Sequence, residues 1–167
     1  PAWSDKLAQP LIDAASQKTP LDDAARLDLT DLPFVSIDAA RTVDIDDALH
    51  AEVTSSGWQL SVAVADPTAY LSDFADVTAL VAQRGSSVYF HGEVIPMLPE
   101  GISQGLCALA EDTPRPALVC QMQIREDGAI GRFEFQRAVI RSHAKLAYAA
   151  VDRYVTGNSD DLIAHAN

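Results

Sequence analysis

Along "WQLSVAVAD" the residues Trp58, Leu60, Val62 and Val64 occupy every second position, and along "ALVCQMQIRE" Leu118, Cys120, Met122 and Ile124 do the same. A period of two puts such residues on one face of an extended chain, so both stretches predict strands. Each has a neighbour to pair with. "ALHAEV" precedes the first across the turn "TSSG", and "AIGRFEFQRAVIRS" follows the second across "EDG", which predicts two hairpins. "PFVSID" and "SSVYF" read as shorter strands.

Helical spacing marks "DFADVTALVAQR", where Phe74, Val77, Leu80 and Val81 share a face and Gly85 follows as a stop. Near the start, "PAWSDKLAQPLIDAAS" and "TPLDDAARLDL" predict two helices; Thr19 caps the second, Pro20 occupies its first turn, and Asp22 and Asp23 sit at its positive end. Near the end, "KLAYAAVDRYV" predicts a helix, "TGNSD" breaks it and "DLIAHAN" begins another. "HGEVIPMLPEGISQGLCAL" is a long connector with room for a short helix. The expected fold class is α+β: a mixed or antiparallel sheet with flanking helices. Residues 1–30 are expected as a helical lead-in or linker, and 31–167 as the N-terminal portion of a larger domain, cut inside it.

Composition adds bounds. The 167 residues are 48% apolar, enough for a sizeable core and against wholesale disorder. No apolar run reaches the ~20 residues that cross a bilayer, and "PAWSDKLAQP" lacks the order of a signal peptide, so a cytoplasmic protein without membrane association is expected. Cys107 and Cys120 lie in apolar surroundings, which suits free thiols better than a disulfide. His50, His91, His143 and His165 are scattered, with no pair at metal-ligand spacing. A net charge of −12 argues against nucleic acid as a partner unless a basic track is local. One such row is available: Arg137, Arg141, His143 and Lys145 fall on odd positions of "RAVIRSHAK", interrupted by Val139, and would share a face if that segment is extended. A phosphate track and a solvated edge-strand face are both open readings of it.

The acidic loop changes the picture most. "SIDAARTVDIDDAL" contains Asp38, Asp44, Asp46 and Asp47. In extended backbone Asp44 and Asp46 point one way and Asp47 the other, with Asp38 far enough back for a loop to bring it round. Like carboxylates held together raise one another's pKa unless a cation sits among them, and magnesium is the hard cation that oxygen ligands of this kind take. One or two such ions would suit phosphodiester hydrolysis. A solvated acidic loop is the plain alternative. A calcium loop fails at Ser55, which stands where a bidentate glutamate is needed. An aspartyl-phosphate phosphatase, with Asp44 as nucleophile and Asp46 as acid, is disfavoured by the polar "AART" before it.

"FVSIDAARTVDIDDAL" resembles the signature of the catalytic (RNB) domain of the ribonuclease II and ribonuclease R family, in which four aspartates occur at this spacing. The likeness continues through "LSVAVADPTAYL", "RGSSVYF", "VIPMLP", "GLCAL", "RPALVCQM" and "AVIRSHAKLAY", in order, and leans towards ribonuclease II. The resemblance implies a processive hydrolytic 3′-to-5′ exoribonuclease that acts on single-stranded RNA and releases nucleoside 5′-monophosphates, with magnesium, or manganese as a substitute. It implies metal-ligand roles for Asp38, Asp44, Asp46 and Asp47, with Asp46 the least replaceable for catalysis. Tyr89 matches an aromatic that clamps bases, and Tyr148 one that lies beside the terminal nucleotide. Arg137, Arg141 and Lys145 are the expected RNA-backbone contacts. The remainder of the catalytic domain and oligonucleotide-binding domains are expected as further partners; a non-catalytic RNA-binding or scaffolding fragment is the alternative.

Overall fold

The computed structural model describes residues 3–71, 75–91 and 93–157. Among the described residues eight strands carry the architecture: β1 Leu27–Asp28, β2 Phe34–Asp38, β3 Asp47–Thr54, β4 Gly57–Ala65, β5 Val88–Phe90, β6 Glu93–Ile95, β7 Pro114–Arg125 and β8 Ile130–Ala147. The helices are α1 Asp5–Ser16, α2 Thr68–Leu71, α3 Ala75–Arg84 and α4 Tyr148–Val155, with a π-type helical turn at Gly101–Cys107. Both expected hairpins form, β3 with β4 and β7 with β8, and β4 also pairs antiparallel with β7.

β8 is long enough to serve two neighbours. Its residues 130–141 pair antiparallel with β7, and residues 142–147 run parallel to β2. Because β2 also pairs with β3, the pairings close into a circuit β8-β2-β3-β4-β7, with β1 added alongside β8. A small closed circuit leaves room inside only for side chains that fill it. The inner set is accordingly compact: Ala48, Ala63, Ala117, Val119 and Ala138 surround Phe34, Ile45, Leu109 and Ile140. Phe34 is fully buried, a gain of roughly 1.5–3 kcal/mol. The bulkier alternating stripes face outward, since cross-strand partners share a side: Val64 pairs with Leu118, and both are exposed.

A second cluster packs at the end of the sheet where Ala65 lies. Leu11 and Ala15 of α1 meet Tyr70, Leu71, Leu98, Ile102 and Cys107 there, so the lead-in helix is seated on the body. Arg115 donates to the carbonyls of Ala108 (3.0 Å) and Gly105 (2.7 Å) and so holds the end of the π-type turn.

Two expected helices differ. Of "TPLDDAARLDL", only Pro20–Asp22 coils, as a short 3-10 turn. Leu27 and Asp28 instead pair in parallel with Ala138 and Val139, and Arg26 is drawn into an ion pair with Asp66 at 2.7 Å, so tertiary partners override the local helical signal. "KLA" continues β8 instead of opening a helix, because Lys145, Leu146 and Ala147 pair with Ser36, Ile37 and Asp38; α4 starts at Tyr148. The connector after Phe90 supplies β6, which pairs with β5, as well as the π-type turn. The helix over Ala75–Arg84 forms, with Gly85 beyond it at φ 72°. Phe74, His165 and the segment "DLIAHAN" lie outside the described residues.

Candidate functional site

The acidic stretch links β2 to β3 and is pinned at its centre by Ile45. That side chain is buried in the inner core and its carbonyl accepts from the Leu109 amide at 2.8 Å. With Ile45 turned inward, the flanking Asp44 and Asp46 line one cleft of about 390 Å³ together with Arg41, Tyr89, Glu100 and Cys107. The next carbonyl, that of Asp46, accepts from the Ala65 amide at 2.8 Å and fixes the start of β3. Asp38 closes β2 and Asp47 opens β3, so they approach the same region from the strand ends.

The four charges are close enough to act on one another. Partial burial raises the pKa of Asp46, and Asp44, Asp47 and Asp38 raise it further. Burial likewise raises Asp38, with Asp47 and Asp44 adding to the effect and the Lys145 ammonium opposing it. The donor set is therefore one of hard oxygens whose mutual repulsion a cation would relieve. Among the described residues, however, no three His, Cys, Asp or Glu side chains are already gathered to hold a metal ion. The chemistry of these oxygen donors fits a hard divalent ion.

Tyr89, on the β5–β6 hairpin, donates its hydroxyl to the Asp44 carboxylate at 3.2 Å while its side chain stays exposed. Slight desolvation and the Asp44 charge, together with that hydrogen bond, raise the phenol's pKa above its ordinary value of 10.0. Tyr148 is exposed at the first position of α4, one residue after Ala147, which pairs with Asp38. The fold thus brings to the acidic region one tyrosine from the middle of the sequence and one from its later part.

The basic row does not stay together. Its segment is extended as expected, but Phe34 pairs with Ser142 while Val35 pairs with Ala144, so β8 accommodates one extra residue there. A one-residue offset moves side chains to the other side of the sheet. Arg137, paired with Leu118, belongs to the outer side and lines a separate cavity of about 530 Å³ with Lys18, Arg26 and Thr68. Arg141 and His143 both reach the Thr30 carbonyl at 3.4 Å, and the Arg141 Nε is buried without a hydrogen-bond partner. Lys145, paired with Ser36, shares a side with Ser36 and Asp38; its ammonium donates to the carbonyl of Ala40 at 3.1 Å and to that of Thr42.

Sequence reasoning passed over Arg41, although it is the single cation between Asp38 and Asp44 and that position was the available signal. It also passed over Asp66, which had none, because its partner Arg26 lies forty positions earlier. Burial pushes the Asp66 carboxyl up, but hydrogen bonds from Thr68 and Arg26 and the charges of Arg26 and Arg137 outweigh it and hold the pKa low. Cys107, which lines the cleft, is buried, and that burial pushes its thiol up to about 12 despite Arg115 nearby, so it is no nucleophile at neutral pH. Cys107 and Cys120 are both free, as expected.

Strand ends converging on clustered carboxylates beneath an exposed tyrosine agree with what comparison with known proteins finds. The RNB domain family matches residues 26–166, and the chain belongs to that family. It is 45% identical over 141 residues to exoribonuclease 2 of Vibrio cholerae, covering 83% of this chain and 21% of that protein. Against ribonuclease R of Escherichia coli K12 the identity is 41% over 138 residues, covering 82% and 17%. The structure of Mycoplasma genitalium RNase R in complex with ribose-methylated single-stranded RNA superposes with a TM-score of 0.88 at 28% identity, over 99% of this chain and 27% of that one. The chain thus spans about a fifth of the length of the curated relatives it matches.

Proposed function

We propose that this chain forms the acidic half of a processive 3′-to-5′ exoribonuclease site that hydrolyses single-stranded RNA to nucleoside 5′-monophosphates. The observation that carries the reading is the shared cleft of Asp44, Asp46 and Tyr89 in a chain of the RNB family. Asp38, Asp44, Asp46 and Asp47 are the residues that would hold magnesium, or manganese in its place. When bound, such an ion polarises a phosphoryl oxygen and lowers the pKa of a coordinated water.

The chain's own side chains supply the remaining functions. Tyr89 and Tyr148, both largely exposed, offer faces on which bases stack; each contact is worth ~1–3 kcal/mol and is indifferent to base identity. A hydrolase that degrades any sequence needs that indifference. The expected phosphate contacts Arg137 and Arg141 do not line this cleft, so they would hold RNA backbone, without reading sequence, only outside it. The remainder of a catalytic domain of the relatives' length, and oligonucleotide-binding domains, would complete the site. Among the described residues no helix is long and apolar enough to cross a membrane, and a cytoplasmic setting accords with the reduced thiols.

Substitution Asp46→Asn in a polypeptide of the relatives' full length tests the reading. RNA hydrolysis is expected to fall by at least about a hundredfold, as when a preorganised electrostatic partner is removed, with RNA binding retained. Undiminished degradation rejects it. The second reading is a non-catalytic RNA-binding fragment, for which the relevant observation is that, among the described residues, no three such side chains are already gathered to hold an ion. Incubating the chain with end-labelled RNA in magnesium and in EDTA separates the two: shortening only in magnesium supports hydrolysis, and a gel shift without shortening supports binding alone.

A further inference from the structure

We propose that Lys145 is a positioning residue that locks the acidic loop in shape, and that its ammonium serves the loop backbone in preference to an RNA phosphate. The inference rests on the metal-binding reading of the four aspartates. An ammonium has three donors, and two of them are directed at the carbonyls of Ala40 and Thr42, in the middle of the arc between Asp38 and Asp44. That arc has one internal backbone bond at its crest, Thr42 to Ala39 at 3.0 Å, and is anchored further on through Ile45 and Asp46. Lys145 is therefore the strut from a regular strand to the part of the loop that lacks a ladder of its own.

The extra residue in β8 explains how the strut is placed. Without the offset between Phe34–Ser142 and Val35–Ala144, Lys145 would project to the side of Arg137; with it, Lys145 stands beside Ser36 and Asp38 and reaches past the strand end to the loop. Backbone bonds from a charged donor are stronger than neutral ones, and residues that orient metal ligands from behind commonly change metal affinity when lost.

The test compares the chain with Lys145→Met and Lys145→Arg, by Mn²⁺ titration followed by electron paramagnetic resonance and by amide hydrogen exchange across residues 39–46. Loss of the strut is expected to weaken Mn²⁺ binding by about 10-fold to 100-fold and to speed exchange in the loop even without metal, with Lys145→Arg recovering most of both. RNA binding measured against salt separates the competing role. A phosphate contact would leave Mn²⁺ affinity and loop exchange unchanged in Lys145→Met and lower the salt slope by about 1, and that result overturns the proposal. Unchanged loop exchange also overturns it. A chain that binds no Mn²⁺ at all defeats the metal reading, and loop exchange then decides the strut by itself.

Discussion

Asp66 and Arg26 show what a residue can hide from its neighbours in sequence. Their ion pair closes at 2.7 Å with side chains only 8% and 3% exposed, and Asp66 sits in the loop that leads from β4 into α2. Two charges in that setting need one another, because removing one leaves the other buried and uncompensated. Asp66→Asn is expected to destabilise the fold by about 3–5 kcal/mol, read as a lower midpoint in urea denaturation, whereas a solvated carboxylate would cost almost nothing. Nothing in "VADPTAY" announced this, since the partner is supplied by distant chain. Asp44 and Asp46, by contrast, were readable as a pair: a period of two puts them on one side, and a buried Ile45 between them makes that side the cleft.

The elements were legible wherever their pattern had only one structural answer. The turn between β3 and β4 needs Gly57: its φ is 131°, and a Cβ there would lie 2.1 Å from the Ile124 carbonyl oxygen on the adjacent strand. Gly57→Ala is accordingly expected to cost about 1–3 kcal/mol or more and to expose the β4–β7 amides to faster hydrogen exchange. The helix expected from "TPLDDAARLDL" had good local signals and lost to a strand pairing with β8. "KLA" likewise joined β8 because β2 offered it a ladder. Local propensity is worth tenths of a kcal/mol per residue, so a few strand hydrogen bonds reverse it, with burial of Leu146 adding to them in β8. The same pairing breaks the basic row, for an offset of one residue is invisible in a sequence of alternating cations.

Across the whole molecule the carboxylates respond to pH in opposite directions. Asp38 and Asp46 have raised pKa values, so the folded state binds protons more readily than the unfolded one and stability falls as pH rises from the ordinary 3.8 through those raised values. Asp66 and Asp28 are lowered, so their contribution is present above 3.8 and is lost as pH falls through the lowered values. In EDTA, Asp46→Asn is expected to raise the Tm at neutral pH, with the difference vanishing below 3.8. A Tm that drops at neutral pH would show that the carboxylate stabilises the apo loop. With a net charge of −12, added salt should narrow the gap by screening the cluster.

The sequence by itself determined that strands at 57–65 and 114–125 alternate, that two hairpins form, and that four carboxylates share one loop, because short-range periodicity and turn chemistry are local properties. Only the tertiary structure decided that β8 closes a circuit, that small residues fill its inside while bulkier ones face out, and that Lys145 turns to the acidic loop. Those outcomes depend on which strand edge meets which, and an edge's partner is chosen by the burial and hydrogen bonding of segments more than a hundred residues apart, as Lys145 and Ala40 are.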